Sequence, residues 1–152
     1  MDTQISPQPV STSYKVWQSL FILGCIFNIG LTFVPSMRVK VAGFFTVEEK
    51  LISNLQLVQL AFQTGHTGLG LLAVLFFAAW IAFLVMAIVY QKRWVFIAGA
   101  SLSALSLLLG LFSGSSGNVE YLPIPRIIGY VADVFMLSGF IAKPPVAAAE
   151  TK

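Results

Sequence analysis

Residues 67–112 read TGLGLLAVLFFAAWIAFLVMAIVY, then QKR, then WVFIAGASLSALSLLLGLF. Each apolar run is long enough to cross a hydrocarbon core of roughly 30 Å as a helix. The short basic link Gln91-Lys92-Arg93 leaves no room for anything but an antiparallel hairpin between them. This pair sets the reading of the chain as a multi-pass integral membrane protein.

Two further apolar runs flank the hairpin. The first, about 16–34, follows Lys15 and is closed by Pro35, Arg38 and Lys40. Ile22-Leu23-Gly24-Cys25 has the look of a poor lipoprotein cleavage box, but the residues after Cys25 stay apolar through Val34, which favours a retained helix. The last run, about 124–142, is entered through Pro123 and Pro125 and stopped by Lys143-Pro144-Pro145. The expected architecture is an all-α bundle of four transmembrane helices over 14–143, with tails at 1–13 and 144–152 rich in small and polar residues.

Composition agrees, since 57% of the 152 residues are apolar and 10% are charged. The net charge of +3 comes from basic residues scattered around the ends of the spans, so it points to topology and not to nucleic acid. With four spans both termini share a side. That side carries Lys15, Lys92, Arg93, Lys143 and Lys152, against Arg38, Lys40, Lys50 and Arg126 opposite, and it also holds Tyr14, Trp17, Tyr90 and Trp94 as an aromatic belt. The positive-inside rule then places both termini in the cytoplasm.

Between the first two spans, Thr46-Val47-Glu48-Glu49 has the form of a capping box and predicts an amphipathic helix over about 47–64. Leu51, Leu55, Val58 and Phe62 make its apolar stripe, while Ser53, Gln56, Gln59, Gln63 and His66 recur on another face. This helix either lies in the membrane interface or turns its glutamines toward a polar cavity. Continued straight to residue 90 it would reach roughly 66 Å, twice the membrane core, unless Gly65, Gly68 and Gly70 mark a bend.

Asp133 is the outstanding polar residue, because a carboxylate inside a span costs several kcal/mol unless paired, protonated or hydrated. Arg126 and Tyr130 precede it on the same face, but roughly 10 Å of axial separation makes a direct Arg126–Asp133 pair difficult without Tyr130 or a water between them. Asn28, Ser103 and Ser106 fall at a similar depth, so the four predict either an interhelical hydrogen-bond network or the floor of an outward-facing site. Gly99, Ser103, Gly110 and Gly114 form a small-residue stripe suited to close helix packing, inside the bundle or between copies. Gly129 and Gly139, with Ala78, Ala79 and Ala82, are its expected partners within the bundle.

No catalytic set or metal site is predicted: His66 is the single histidine, Cys25 the single cysteine, and HExxH and phosphate-binding glycine loops are absent. No cofactor is predicted either, although a bound lipid or a partner-held cofactor is compatible with such helices. The expected role is a structural or accessory subunit of a membrane assembly or homo-oligomer, with membrane lipids and other membrane subunits, or itself, as partners. The next reading is a proton- or cation-coupled small-solute transporter built on Asp133, with Arg126, Tyr130, His66, Gln63 and Asn28 as binding candidates. A membrane-embedded enzyme acting on a lipid or quinone-like substrate is third, with Asp133, Tyr130 and His66 as its acid–base groups.

Overall fold

The computed structural model describes residues 12–42, 47–112 and 119–144. The order is α1 (Thr12–Leu31), β1 (Pro35–Ala42), β2 (Val47–Ser53), α2 (Asn54–Gln63), α3 (Thr67–Val89), α4 (Arg93–Phe112), β3 (Val119–Tyr121) and α5 (Pro123–Leu137), followed by a 3-10 turn over Ser138–Phe140. Three helical segments are long and apolar enough to cross a membrane: Thr12–Leu31, Gly70–Val89 and Arg93–Phe112. The fourth expected span is shorter as an α-helix. It opens with Pro at its first turn and ends at Leu137, where the Ser138 hydroxyl donates to the Trp17 carbonyl at 3.0 Å and the chain tightens into the 3-10 turn. Helix and turn together rise about 28 Å.

A three-stranded antiparallel sheet of order β2-β1-β3 replaces the first part of the helix expected over 47–64. The competing signal is the alternation Met37-Arg38-Val39-Lys40, a strand period that finds a partner in 47–53 with Arg38 opposite Leu51 and Lys40 opposite Glu49. Met37 and Ile52, opposed in this register, are both buried. Arg38 also lies 3.6 Å from Glu49 and 3.9 Å from Glu120 of β3, but these groups are half exposed and such pairs contribute little. Pairing and burial therefore outweigh the local capping signal at Glu49; Thr46, its other member, lies outside the described residues.

The working capping box is seven residues later. Ser53 Oγ accepts from the Gln56 backbone N–H at 3.3 Å, and Gln56 Oε1 accepts from the Ser53 N–H at 3.0 Å, so α2 starts at Asn54. It stops at Thr64, and Gly65 takes φ +81°, a left-handed conformation that glycine adopts without steric cost. The bend folds α2 back on α3, with the Phe62 ring pressed against Gly70. A straight helix through to residue 90 is thereby replaced by two.

The ends of the first span shift as well. α1 begins at Thr12, inside the expected tail, and finishes at Leu31 instead of Val34. Thr32 and Phe33 close a turn onto the Ile29 and Gly30 carbonyls, and Pro35 opens β1. Of the expected tails, 1–11 and 145–152 lie outside the described residues.

The start of α1, the α3–α4 link and the end of α5 gather at one end of the molecule, with the sheet and α2 at the other. At the first end Tyr14 donates to Gln91 Oε1 at 3.5 Å, Gln18 Nε2 donates to the Ala87 carbonyl at 3.0 Å, and Phe96 meets Tyr14 and Phe21 edge to face. Glycines carry the closest contacts among α1, α4 and α5. Gly24 lies under Ala132 and Met136, Gly99 under the Phe21 ring, and Gly139 under the Phe96 carbonyl and Phe21.

α3 stands further out and exposes Leu71, Leu75, Ile81, Val85 and Ile88. Its contact face is Trp80, Phe83, Leu84 and Ala87, spaced as one helical stripe; of the expected alanines, Ala78 and Ala82 are exposed and Ala79 is half-buried. Bulky side chains on that stripe hold the α3 axis away from the core.

Candidate functional site

The wider spacing of α3 leaves a cavity of about 760 Å³ in the half of the molecule nearer the sheet. Val58 and Ala61 of α2 with Ala73, Phe76, Phe77 and Trp80 of α3 form an apolar wall. Facing it, α1, α4 and α5 present Asn28, Ser106, Gly110, Arg126, Tyr130 and Asp133. The volume falls within the range of small-molecule sites.

Asp133 is buried, with 4% of its surface exposed. Its Oδ1 accepts from Asn28 Nδ2 at 3.1 Å and from the Ser103 hydroxyl at 3.2 Å, and Ser106 supplies a further side-chain hydrogen bond. Three neutral donors from two other helices thus converge on one carboxyl group of α5. This gathers all four residues of the expected polar layer. The donors satisfy the oxygen atoms without bringing a formal positive charge, and among the described residues Asp133 has no salt bridge. Asn28 also approaches the Met136 sulfur at 3.7 Å, and Met136 accepts a contact from Cys25 at 3.9 Å, so the thiol is packed into the seam.

Arg126 takes no direct part in this cluster. Its Nε donates to the Tyr130 hydroxyl at 2.8 Å and Nη2 donates to the Gly110 carbonyl at 2.9 Å, while Tyr130 donates to the same carbonyl at 3.0 Å. Gly110 is in the last turn of α4, where helix carbonyls lack intrahelical partners, so Arg126 caps α4 across the helix interface and meets the negative end of its dipole. The guanidinium also lies 5.6 Å from the Tyr130 ring centre and 5.8 Å from that of Tyr121. Tyr130 therefore joins Arg126 to α4, and does not bridge Arg126 to Asp133.

The other candidates separate. His66 lies in the break between α2 and α3 at the cavity wall, exposed, and makes no side-chain cap bond. Gln63 is exposed at the end of α2 and does not line the cavity, and the expected glutamine stripe is divided because Gln56 is occupied at the cap. α2 instead turns Val58 and Ala61 inward. Gly99, Ser103 and Gly110 each face α1 or α5 within the chain, through Phe21, Asp133 and Tyr130 respectively, which leaves them occupied as a seam. Gly114 lies outside the described residues.

Two features of the site escape the sequence reading. Gly24 is the tightest point of the α1–α5 contact, and its signal was its place one turn before Asn28 on the same helix face. Phe77 and Trp80 form the wall opposite Asp133, but nothing local separates them from the many other aromatics that face outward. Among the described residues no three His, Cys, Asp or Glu side chains converge, so no group of this kind is placed to hold a metal ion. Chemically, the arrangement offers a hydrogen-bonded carboxyl group on one wall and an apolar, aromatic surface on the other. No protein-family model, curated protein or solved structure matches this chain.

Proposed function

We propose that this chain is a four-span integral membrane protein, with both termini in the cytoplasm, that holds a hydrophobic small molecule in the cavity between α3 and the α1–α4–α5 core. The observation that carries the reading is Asp133, a buried carboxyl group that lines an apolar-walled cavity instead of being sealed within the seam. An intramembrane carboxyl group is costly, and its placement on a cavity wall is the arrangement expected of a site. Binding from the membrane, in a carrier or transporter, ranks ahead of an enzyme because His66 and Asp133 are on separate walls and Tyr130 is committed to Arg126 and Gly110.

Native mass spectrometry of protein released in mild detergent tests the binding role. Wild type should retain non-protein mass that is lost when Ala61→Trp fills the cavity; equal mass on both would overturn the reading. The span count is tested in a Cys25→Ser background by single cysteines at Asn54, Lys92 and Lys143. A membrane-impermeant thiol reagent should reach position 54 from one side of sealed vesicles and positions 92 and 143 from the other.

A second reading, the structural or accessory subunit of a membrane assembly or homo-oligomer, is favoured by α3. Its outer surface of Leu71, Leu75, Ile81, Val85 and Ile88 is a continuous apolar face suited to a neighbouring membrane helix. The same spectra distinguish it by showing a stoichiometric second polypeptide or a second copy.

A further inference from the structure

We infer that the ligand of this cavity is a hydrophobic organic cation, whose positive centre is taken by Asp133 and whose body lies against Phe76, Phe77 and Trp80. The inference rests on the reading of the cavity as a ligand site and adds the charge and shape of what fills it.

The argument starts from charge. The Asp133 carboxyl group receives hydrogen bonds from Asn28, Ser103 and Ser106, all neutral, on α1 and α4. These donors satisfy the carboxyl oxygens but bring no formal positive charge, and a carboxylate in a low-dielectric interior needs one. The charged group nearest along its own helix, Arg126, points its donors at the Tyr130 hydroxyl and the Gly110 carbonyl at the end of α4. The remaining ionisable groups on the cavity wall are His66 at the α2–α3 break, Tyr121 beside Arg126, and Tyr130. A cation entering beside Asp133 supplies that countercharge, whereas an anion supplies none.

The opposite wall sets the second requirement. Phe76, Phe77 and Trp80 recur at spacings of one and three on α3 and face the polar wall across the cavity. Aromatic faces attract cations and pack against apolar rings, so a compact ammonium or phosphonium carrying aryl or alkyl groups satisfies both walls together. A small hydrated metal ion satisfies only one of them, and would leave the apolar wall against water. The cavity has room for a drug-sized ligand at about 760 Å³.

Tetraphenylphosphonium and tetraphenylborate provide the test, being close in size and shape and opposite in charge. Their binding to the full-length protein in detergent is measured by calorimetry, with Ala61→Trp as the filled-cavity reference that removes partition into micelles. The expected result is one phosphonium per chain, lost in Ala61→Trp, with borate at least tenfold weaker. Asp133→Asn should weaken phosphonium at least tenfold and leave borate unchanged or tighter. The comparison of the two ions is made on the wild type, so it decides the matter even where the Asn variant fails to fold. Equal binding of both ions, lost together in Ala61→Trp, would overturn the cation inference while the cavity remained a ligand site. Failure of both ions and of neutral tetraphenylmethane to bind above the Ala61→Trp reference would overturn the cavity reading itself, and the inference with it.

Discussion

Replacing Gly24 by alanine would put a methyl group 2.5 Å from Met136 Cγ and 2.6 Å from the Ala132 carbonyl oxygen. Neither neighbour can yield cheaply, because one is the backbone of α5 and the other is a side chain fully enclosed in the core. The added methyl must therefore push α1 and α5 apart, and overpacking of this kind costs typically 1–3 kcal/mol. The upper part of that range applies where the obstacle is backbone. Gly30, on the same helix, has nothing within 4 Å of an added Cβ. Alanine there meets no obstacle and gains helix propensity, up to about 0.8–1 kcal/mol in a helix interior and less near the C-terminus where Gly30 sits.

Comparing the two variants removes most of the propensity term and leaves the packing term, so their stabilities should differ by about 2–3 kcal/mol, Gly24→Ala being the less stable. Reversible unfolding of the purified protein in mixed micelles, titrated with a denaturing detergent, reads this difference directly. Equal stabilities within about 0.5 kcal/mol would show that α1 and α5 do not meet at Gly24, and with that contact would go the Asn28–Asp133 alignment one turn further along.

Three other outcomes follow from single contacts. Gly65→Ala should cost about 1–2 kcal/mol, because φ +81° is left-handed and disfavours a Cβ, and hydrogen exchange in α2 should rise with it. Ser53→Ala should cost about 1 kcal/mol and fray the start of α2, as read by exchange of the Gln56 amide; an unaltered amide would place the cap elsewhere. Asn28→Leu removes a donor from a buried carboxyl group and should cost about 1.5–3 kcal/mol in the same micelle titration, with no loss if Ser103 and Ser106 suffice alone.

The apolar runs of 67–89 and 94–112 were legible because twenty residues of unbroken hydrophobicity need no knowledge of neighbours. Asp133, Asn28, Ser103 and Ser106 were legible for a related reason: polar groups are rare in such runs, and equal depth on different helices suggests that they meet. The sheet was hidden because Arg38, Lys40 and Lys50 also serve as charges flanking a span, and two signals overlapped on the same residues. Two capping boxes stood seven residues apart, and only strand pairing over 47–53 makes the later one at Ser53 the start of α2. The cap that Arg126 supplies to α4 is a purely tertiary fact. It depends on where Gly110 comes to lie sixteen residues away, and no local pattern carries that.

The position of the cavity follows from how the helices divide large and small side chains. Gly24, Gly99 and Gly139 let α1, α4 and α5 approach closely, and the Asp133 network locks the three at mid-depth. α3 has no such residue at its contacts with the core. It is tied near α4 by the short 90–92 link and held by Phe83, Leu84 and Ala87 at that end, while toward the sheet it touches the turn after α1 through the Phe33–Phe77 ring pair at 5.8 Å. The bulky Trp80 faces the core between these attachments, and a wedge opens opposite Asp133 along residues 70–80 of α3, with α2 folded over part of its wall by the bend at Gly65. The same division explains why a carboxyl group is tolerated there. Its hydrogen bonds come from α1 and α4 and none from α3, so Asp133 is satisfied without closing the wedge.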